Sequence, residues 1–185
     1  MARIPPAAGP LAPAAQAELD RQLAAHGRVT NMKRTLAHSP AALVALMQWY
    51  PLRDEVAGFL GARLTTLFAH AVSAETDCLI CSTFFRRILI DAGENPDQLV
   101  LDARETAIVD YGLALARGNS HVPDAEYDRA AALLEPGQMV ALTAFGAMMI
   151  ATNVVNNALR VDLDEYLWTY RRPDPIQPPT PAEER

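Results

Sequence analysis

Two cysteines three residues apart, Cys78 and Cys81 in Cys78-Leu79-Ile80-Cys81, have the clearest potential for chemistry in this 185-residue sequence. Residues three apart on a helix share a face, so the two sulfurs are predicted to meet there. The helix is predicted to begin at about Cys78, where unpaired amides and the helix dipole stabilise a thiolate, the nucleophilic form of cysteine. The spacing therefore indicates a redox-active dithiol, and a pair of buried, unreactive thiols remains the alternative.

Zinc binding is another use of a C-x-x-C pair, but the rest of the sequence argues against it. A structural zinc site needs about four ligands, and no second C-x-x-C or H-x₃-H is present. The histidines are scattered, at His26, His38, His70 and His121. We expect neither a metal nor a cofactor.

Charge and hydropathy limit the partners and the location. The net charge is −6 and Lys33 is the only lysine, which argues against nucleic acid as a partner. Residues 1–16 lack the apolar core of a secretory signal, and the longest apolar stretch, 139–151, is shorter than the ~20 residues of a membrane span. We therefore expect a cytoplasmic protein without a membrane partner, in a compartment where thiols stay reduced.

Apolar positions recur at spacings of three and four, which predicts an all-α fold. Half of the residues are hydrophobic, enough for a sizeable core. We expect an extended Pro-rich arm over residues 1–16, a single helical domain over 17–172 and a Pro-rich tail over 173–185. Start and stop signals predict helices at 17–26, 40–50, 52–74, 78–92, 103–117, 124–134 and 138–159, a last amphipathic piece at 162–170, and a helix stop at 118–120.

Three stretches resemble the carboxymuconolactone decarboxylase and alkylhydroperoxidase D-like family, and together they span residues 28–160. They are Arg28-Val29-Thr30-Asn31-Met32 through Leu36-Ala37-His38-Ser39-Pro40, Leu60 to Gly93 around the cysteines, and Leu101 to Leu159. The resemblance implies an alkylhydroperoxidase D-like helical bundle assembled as a homo-oligomer, a trimer or a hexamer. It also implies peroxide reduction by the two thiols or, in the decarboxylase branch, cofactor-free lactone chemistry that needs no cysteine pair.

Thiol-active members of that family relay protons through a Glu twelve residues before the first cysteine and a His four residues after the second. Those positions hold Thr66 and Phe85 in this sequence. His70, one turn after Thr66, and Glu75, close to Cys78, are candidate substitutes, with packing and helix capping as the respective alternatives. Asn156 and Asn157 are either site-lining or capping residues.

The two functions that follow differ in whether the thiols react. The first is a thiol-dependent oxidoreductase in which Cys81 attacks a peroxide or a disulfide, Cys78 resolves the product, and a thiol protein or small thiol regenerates the pair. General acid–base help contributes typically ~10²–10⁴-fold in rate, so loss of the relay predicts weak activity. The second is a non-catalytic family member, a helical oligomer that binds a ligand or partner in the same pocket.

Overall fold

The structure, a computed structural model, describes residues 2–117 and 121–172, and these contain helices and no strand, as the all-α prediction requires. The predicted tail at 173–185 and the helix stop predicted at 118–120 lie outside the described residues. The helices are α1 Pro13–His26, α2 Asn31–Leu36, α3 Pro40–Met47, α4 Trp49–Leu60, α5 Ala62–Glu75, α6 Leu79–Asp91, α7 Ala103–Arg117, α8 Asp124–Ala131, α9 Pro136–Leu159 and a 3₁₀ helix Glu165–Tyr170.

The N-terminal arm is shorter than the predicted 1–16, because α1 begins at Pro13. Proline is well tolerated at the first helical position, where its missing amide hydrogen has no partner to lose. The arm lies against its own chain: the Arg3 amide donates to the Leu159 carbonyl at 2.9 Å, and its guanidinium donates to the Ala158 carbonyl at 2.8 Å. A cation at the C-terminus of α9 also interacts favourably with the helix dipole.

The helix boundary predicted at Pro51 is wrong, and a second boundary was missed. Pro51 lies in the first turn of α4, where no intrahelical donor is needed, and the chain breaks just before Trp49 instead. Gly61, with φ +85°, divides the predicted helix 52–74 into α4 and α5. Helical spacing continues through this break. Five apolar residues at helical spacing across the break are all buried, namely Leu60, Leu64, Leu67, Phe68 and Ala71.

Three helices meet around the fully buried ring of Phe68 on α5. Gly112 on α7 and Gly146 on α9 face this ring: a Cβ atom would lie 2.9 Å from Phe68 Cδ2 at Gly112 and 3.0 Å from Phe68 Cζ at Gly146. Neither position has room for a side chain. The absence of a Cβ therefore lets α7 and α9 approach α5 closely and places α9 in the centre of the molecule.

Helix α9 is long and apolar enough to cross a membrane by length and composition alone, with a mean hydropathy of 1.5. In the fold it packs against α4, α5 and α7, as the central helix of a helical domain does. Its buried face carries Met139, Leu142, Phe145 and Met149, and then the polar Asn153 and Asn156. The prediction of a core helix in this region is confirmed.

The segment after α9 folds back over α2 and α6. Asp164 accepts a hydrogen bond from the Asn31 amide at 2.9 Å, and the Arg28 guanidinium lies 3.9 Å from the centroid of the Tyr166 ring. The predicted amphipathic piece at 162–170 is a 3₁₀ helix, and α8 ends at Ala131 before the predicted 134. This return brings Asp164 and Tyr166 beside the cysteine helix.

Candidate active site

A tight turn between α5 and α6 places Cys78 at the start of its helix. Asp77 adopts a left-handed conformation, with φ +50°. Its amide donates to the Ala74 carbonyl at 3.1 Å, and the Cys78 amide donates to the Ser73 carbonyl at 3.0 Å. These two bonds close α5 as a Schellman motif. Residues 75–77 therefore end α5, and the capping role considered for Glu75 at the start of α6 is not seen, since no side chain among the described residues caps that helix.

Asparagines on α9 hold this turn and the two sulfurs. Asn153 Nδ2 donates to the Thr76 hydroxyl at 2.8 Å, and Asn157 Nδ2 donates to the Thr76 carbonyl at 2.9 Å. Between them, Asn156 Nδ2 lies 3.4 Å from Cys81 Sγ and 3.8 Å from Cys78 Sγ. Asn156 is thus a site-lining residue, one of the two roles considered for it from the sequence.

The thiols are free, buried and coupled to each other. The hydrogen bond from the Cys81 thiol lowers the pKa of Cys78 to about 7, with help from the amides of Cys81, Asn156 and Ile80, while burial opposes the shift. The same hydrogen bond and burial raise the pKa of Cys81. At neutral pH the pair is therefore roughly half ionised, and when it is ionised the negative charge lies mainly on Cys78 and the remaining proton on Cys81.

A small cavity of about 50 Å³ adjoins Cys81, whereas the fully buried Cys78 lies behind it. Most of its wall is apolar or aromatic and includes Met32, Trp49, Ile80, Phe84, Phe85 and Met149. Phe85 occupies the position at which the family resemblance calls for a relay histidine. A ring without a titratable group therefore stands beside the thiol.

The polar part of the wall contains the chain's only lysine. Lys33 is 2 % exposed, and its Nζ lies 5.1 Å from the centroid of the Tyr50 ring. Burial lowers the pKa of Lys33 to about 8, and the Asp164 carboxylate opposes that shift. Burial also raises the pKa of Asp164. Asp164 Oδ2 and the Tyr166 hydroxyl are buried without a hydrogen-bond partner in the described chain. This wall therefore has polar groups available to a small ligand.

A wider, basic cavity of about 370 Å³ adjoins the small one, and we call it the vestibule. Its basic residues are His26, Arg28, Lys33, Arg53 and Arg87. Five residues line both cavities, namely Thr30, Lys33, Tyr50, Phe84 and Tyr166. We call the small cavity beside the Cys81 thiol the chamber. Lys33 therefore lies where the vestibule meets the chamber.

The candidate relay residues do not line the Cys81 cavity. The Thr66 hydroxyl donates to the Ala62 carbonyl at 2.8 Å, and Glu75 forms a 3.0 Å ion pair with Arg117. His70 lines a different cavity with Arg86 and Asp97, where burial and then Arg86 lower its pKa. The shared helix face of Thr66 and His70 points away from the chamber, which periodicity alone does not reveal.

Sequence reasoning missed Lys33, Asp164 and Tyr166 as neighbours of the cysteines. Lys33 lies 45 positions before Cys78 in the sequence, and Asp164 and Tyr166 belong to the segment that follows α9. One signal was available: Lys33 is the only lysine and lies within the family-like opening, where α2 must bury Met32 and Leu36 on either side of it.

The fold matches three solved structures over most of its length. One is described as an alkylhydroperoxidase AhpD core, an uncharacterized peroxidase-related protein from Ralstonia eutropha JMP134: TM-score 0.71, 19 % identity, covering 92 % of this chain and 98 % of that one. Another is the debrominase Bmp8, with TM-score 0.75, 16 % identity and coverage of 90 % and 95 %. A third is an uncharacterized peroxidase-related protein from Silicibacter sp. TM1040, with TM-score 0.67, 18 % identity and coverage of 89 % and 92 %.

These likenesses define the class of fold. The chain has the alkylhydroperoxidase D-like helical fold that the sequence resemblance predicted. No protein-family model and no curated protein matches the sequence. Activity therefore has to be argued from the site.

Proposed function

We propose that this protein is a thiol-dependent peroxide reductase that uses Cys78 and Cys81. The observation that carries the proposal is the paired thiols under the Asn156 amide, with Cys81 lining the small cavity and Cys78 fully buried. Two of the structural neighbours are described as peroxidase-related, which supports the same chemistry.

The size of the chamber favours a peroxide over a disulfide as the oxidising substrate. On this measure a water molecule occupies ~10–15 Å³, so about 50 Å³ holds roughly three to five water-sized groups. The O–O group of hydrogen peroxide or of an alkyl hydroperoxide fits this volume, and a larger alkyl group extends into the adjoining vestibule. A disulfide needs more room beside the Cys81 thiol, because each of its two large sulfurs carries a carbon.

We assign the roles of the two thiols from access and charge together. Cys81 lines the cavity, so its sulfur attacks the peroxide O–O bond and becomes a sulfenic acid, while the Cys78 thiolate acts as the base that takes the Cys81 proton and the leaving oxygen takes a proton from an acid in the site or from solvent. The Cys78 thiol then attacks the sulfenic sulfur, forming a disulfide and releasing water. A dithiol reductant returns the pair to its starting state, which completes a cycle that reduces one peroxide to an alcohol or water.

The test compares peroxide consumption by wild type, Cys78→Ser and Cys81→Ser, with dithiothreitol as the reductant. Cys81→Ser is expected to abolish consumption. Cys78→Ser lacks both the base and the resolving thiol, so it is expected to react more slowly than wild type and, when dithiothreitol is left out, to stop after one turnover with a sulfenic acid on Cys81 that dimedone traps. Ser82→Ala, on the same helix, is the matched control and keeps wild-type activity. Equal consumption by wild type and both cysteine variants would refute the proposal.

The rival function is a non-catalytic member that binds a small apolar ligand in the chamber. The apolar wall at Phe85 and the distance of Thr66 from the chamber favour it. It predicts inert thiols, so slow alkylation of both cysteines at neutral pH in native protein, together with no peroxide consumption, would select it.

The assembly, the reductant and the compartment also belong to the proposal. A homo-oligomer, a trimer or hexamer, is consistent with apolar side chains left exposed on the central helix: Val140 is 70 % and Val154 is 58 % exposed. The physiological reductant is expected to be a cytoplasmic dithiol protein or small thiol. Sedimentation analysis tests the assembly, and a monomer at micromolar concentration would contradict it.

A further inference from the structure

We propose that Lys33 is the proton donor of peroxide reduction: its ammonium group protonates the oxygen that leaves when Cys81 sulfur attacks. This inference rests on the proposed peroxide reductase. It gives this chain a replacement for the family's relay residues, on a different helix and from a different side of the chamber.

The position of Lys33 is the first support. Lys33 and Cys81 line the same chamber, which holds roughly three to five water-sized groups. A hydroperoxide bound in that space therefore lies within a wall to which both side chains contribute. In the described part of the chain no carboxylate lies within 4.0 Å of the Lys33 ammonium to form an ion pair, so its protons are available to a ligand.

Burial is the second support. A lysine is almost never fully buried unless it is paired, and this one is 2 % exposed. Its contacts are with the Tyr50 ring and the charge of Asp164, and they keep the ammonium form accessible at neutral pH while leaving its pKa near the pH of the reaction. A general acid works best when its pKa lies near the working pH.

Charged and titratable groups face Lys33 from both cavities that it lines. On the chamber side they are Asp164, Tyr166 and Tyr50. On the vestibule side they are His26, Arg28, Arg53 and Arg87. Asp164 favours the protonated amine, whereas the vestibule cations favour the neutral amine. The vestibule also supplies the solvent from which Lys33 regains its proton after each turnover.

The step balances in atoms and charge. The thiol of Cys81, the thiolate of Cys78, the ammonium of Lys33 and ROOH become a sulfenic acid, a thiol, a neutral amine and ROH. The sulfur–oxygen bond forms as the O–O bond breaks, the sulfur is oxidised by two electrons, and both peroxide oxygens are reduced. The Cys81 proton goes to Cys78, and the Lys33 proton goes to the leaving oxygen.

The test uses two peroxides that differ in their need for a proton. tert-Butyl hydroperoxide releases an alkoxide, a strong base that must be protonated, whereas peracetic acid releases acetate, a weak base that leaves unaided. Single-turnover thiol oxidation is measured for wild type, Lys33→Met, Lys33→Arg and the control Arg34→Met, which removes an exposed cation from the neighbouring position.

Lys33→Met is expected to slow oxidation by tert-butyl hydroperoxide about 100-fold or more. Lys33→Arg keeps the charge but does not release a proton at this pH, so it is expected to be equally slow with that peroxide and near wild type with peracetic acid. The wild-type rate rises as the pH passes about 7, where the thiol pair ionises, and falls as it passes about 8, where Lys33 loses its proton. Lys33→Met loses the falling limb, and Arg34→Met keeps both limbs.

Three outcomes would overturn the inference while leaving the peroxide reductase intact: equal slowing with both peroxides, an unchanged rate in Lys33→Met, or full activity of Lys33→Arg with tert-butyl hydroperoxide. A wild-type protein whose cysteines react with neither peroxide refutes the proposed function itself. Circular dichroism of each variant separates loss of chemistry from loss of fold.

Discussion

Asn156 on α9 holds its side-chain amide 3.4 Å from the sulfur of Cys81 and 3.8 Å from that of Cys78. The central helix is therefore joined directly to the two thiols at the start of α6. A neutral amide donor placed between two sulfurs favours the thiolate, because it stabilises negative charge on either atom.

Asn156→Leu removes this donor with little change in volume, and we expect the pKa of Cys78 to rise above about 7 while the Cys81 hydrogen bond, the main cause of the lowered value, keeps it below that of an ordinary cysteine. Iodoacetamide alkylation at pH 7 is then slower, by roughly twofold for a rise of about half a pKa unit, because a smaller fraction is thiolate. The control is Asn157→Ala on the exposed side of α9, which leaves both sulfur contacts in place. Unchanged alkylation of Asn156→Leu would show that the amide has no effect on the thiolate.

Lys33→Met is expected to stabilise the folded protein at pH 7. Burial lowers the pKa of Lys33 to about 8, so a protonated Lys33 opposes folding at neutral pH. Replacing a buried charge by an apolar side chain of similar length is often stabilising, here by about 1–2 kcal/mol after loss of the Asp164 attraction. Urea denaturation measures this gain.

The difference in unfolding free energy between Lys33→Met and wild type is expected to depend on pH. Below pH 8 the lysine is protonated in both folded and unfolded chains, and its unfavourable contribution is complete. As the pH rises from about 8 toward the unfolded value of about 10.4, the folded chain loses the proton first and the contribution shrinks. The stability difference between Lys33→Met and wild type should therefore narrow over that range, and a constant difference would contradict the buried-charge explanation.

Asp164→Asn tests the electrostatic coupling across the chamber. Removing the carboxylate lowers the pKa of Lys33 further below about 8, because the attraction that favours the ammonium is lost. Lys33 is the only lysine, so protein labelled with ¹³C-lysine gives a single ε-carbon resonance whose titration reports this pKa directly. Asp162→Asn, an exposed carboxylate two positions away, is the control and leaves the titration unchanged.

Gly112→Ala is expected to destabilise the protein although alanine favours helix. The helix preference contributes about 1 kcal/mol of stabilisation, but the new methyl group would lie 2.9 Å from the buried Phe68 ring, and overpacking typically costs about 1–3 kcal/mol. Phe68→Leu opens space there, so the alanine should be less unfavourable in that background. A double-mutant cycle by urea denaturation measures the coupling, and strict additivity would mean that the ring and glycine do not constrain each other.

The all-helical class, the cysteine helix and the core stripe of α4 and α5 were predictable from sequence because each depends on neighbours a few residues apart. Cys78 and Cys81 share a helix face by their spacing, and the turn residues before them mark where that helix begins. The breaks at Gly61 and before Trp49 were not predicted, because the helical spacing of apolar residues runs through both. At Gly61 the break follows from the positive φ that glycine allows, a local signal that the apolar spacing concealed.

The environment of the thiols was decided by the tertiary structure. Asn156 contacts the Cys81 sulfur, and Lys33 and Asp164, from two other segments, line the same cavity as Cys81. The pKa of each ionisable group depends on burial and on charges that sequence spacing does not locate. His70 is the converse case, because it is near the cysteines in sequence but lines another cavity. The sequence alone determined that two thiols share the start of a helix. The folded chain determined which thiol lines the chamber and that Lys33 lines the same chamber. The physical reason is that contacts across a core are set by packing between helices.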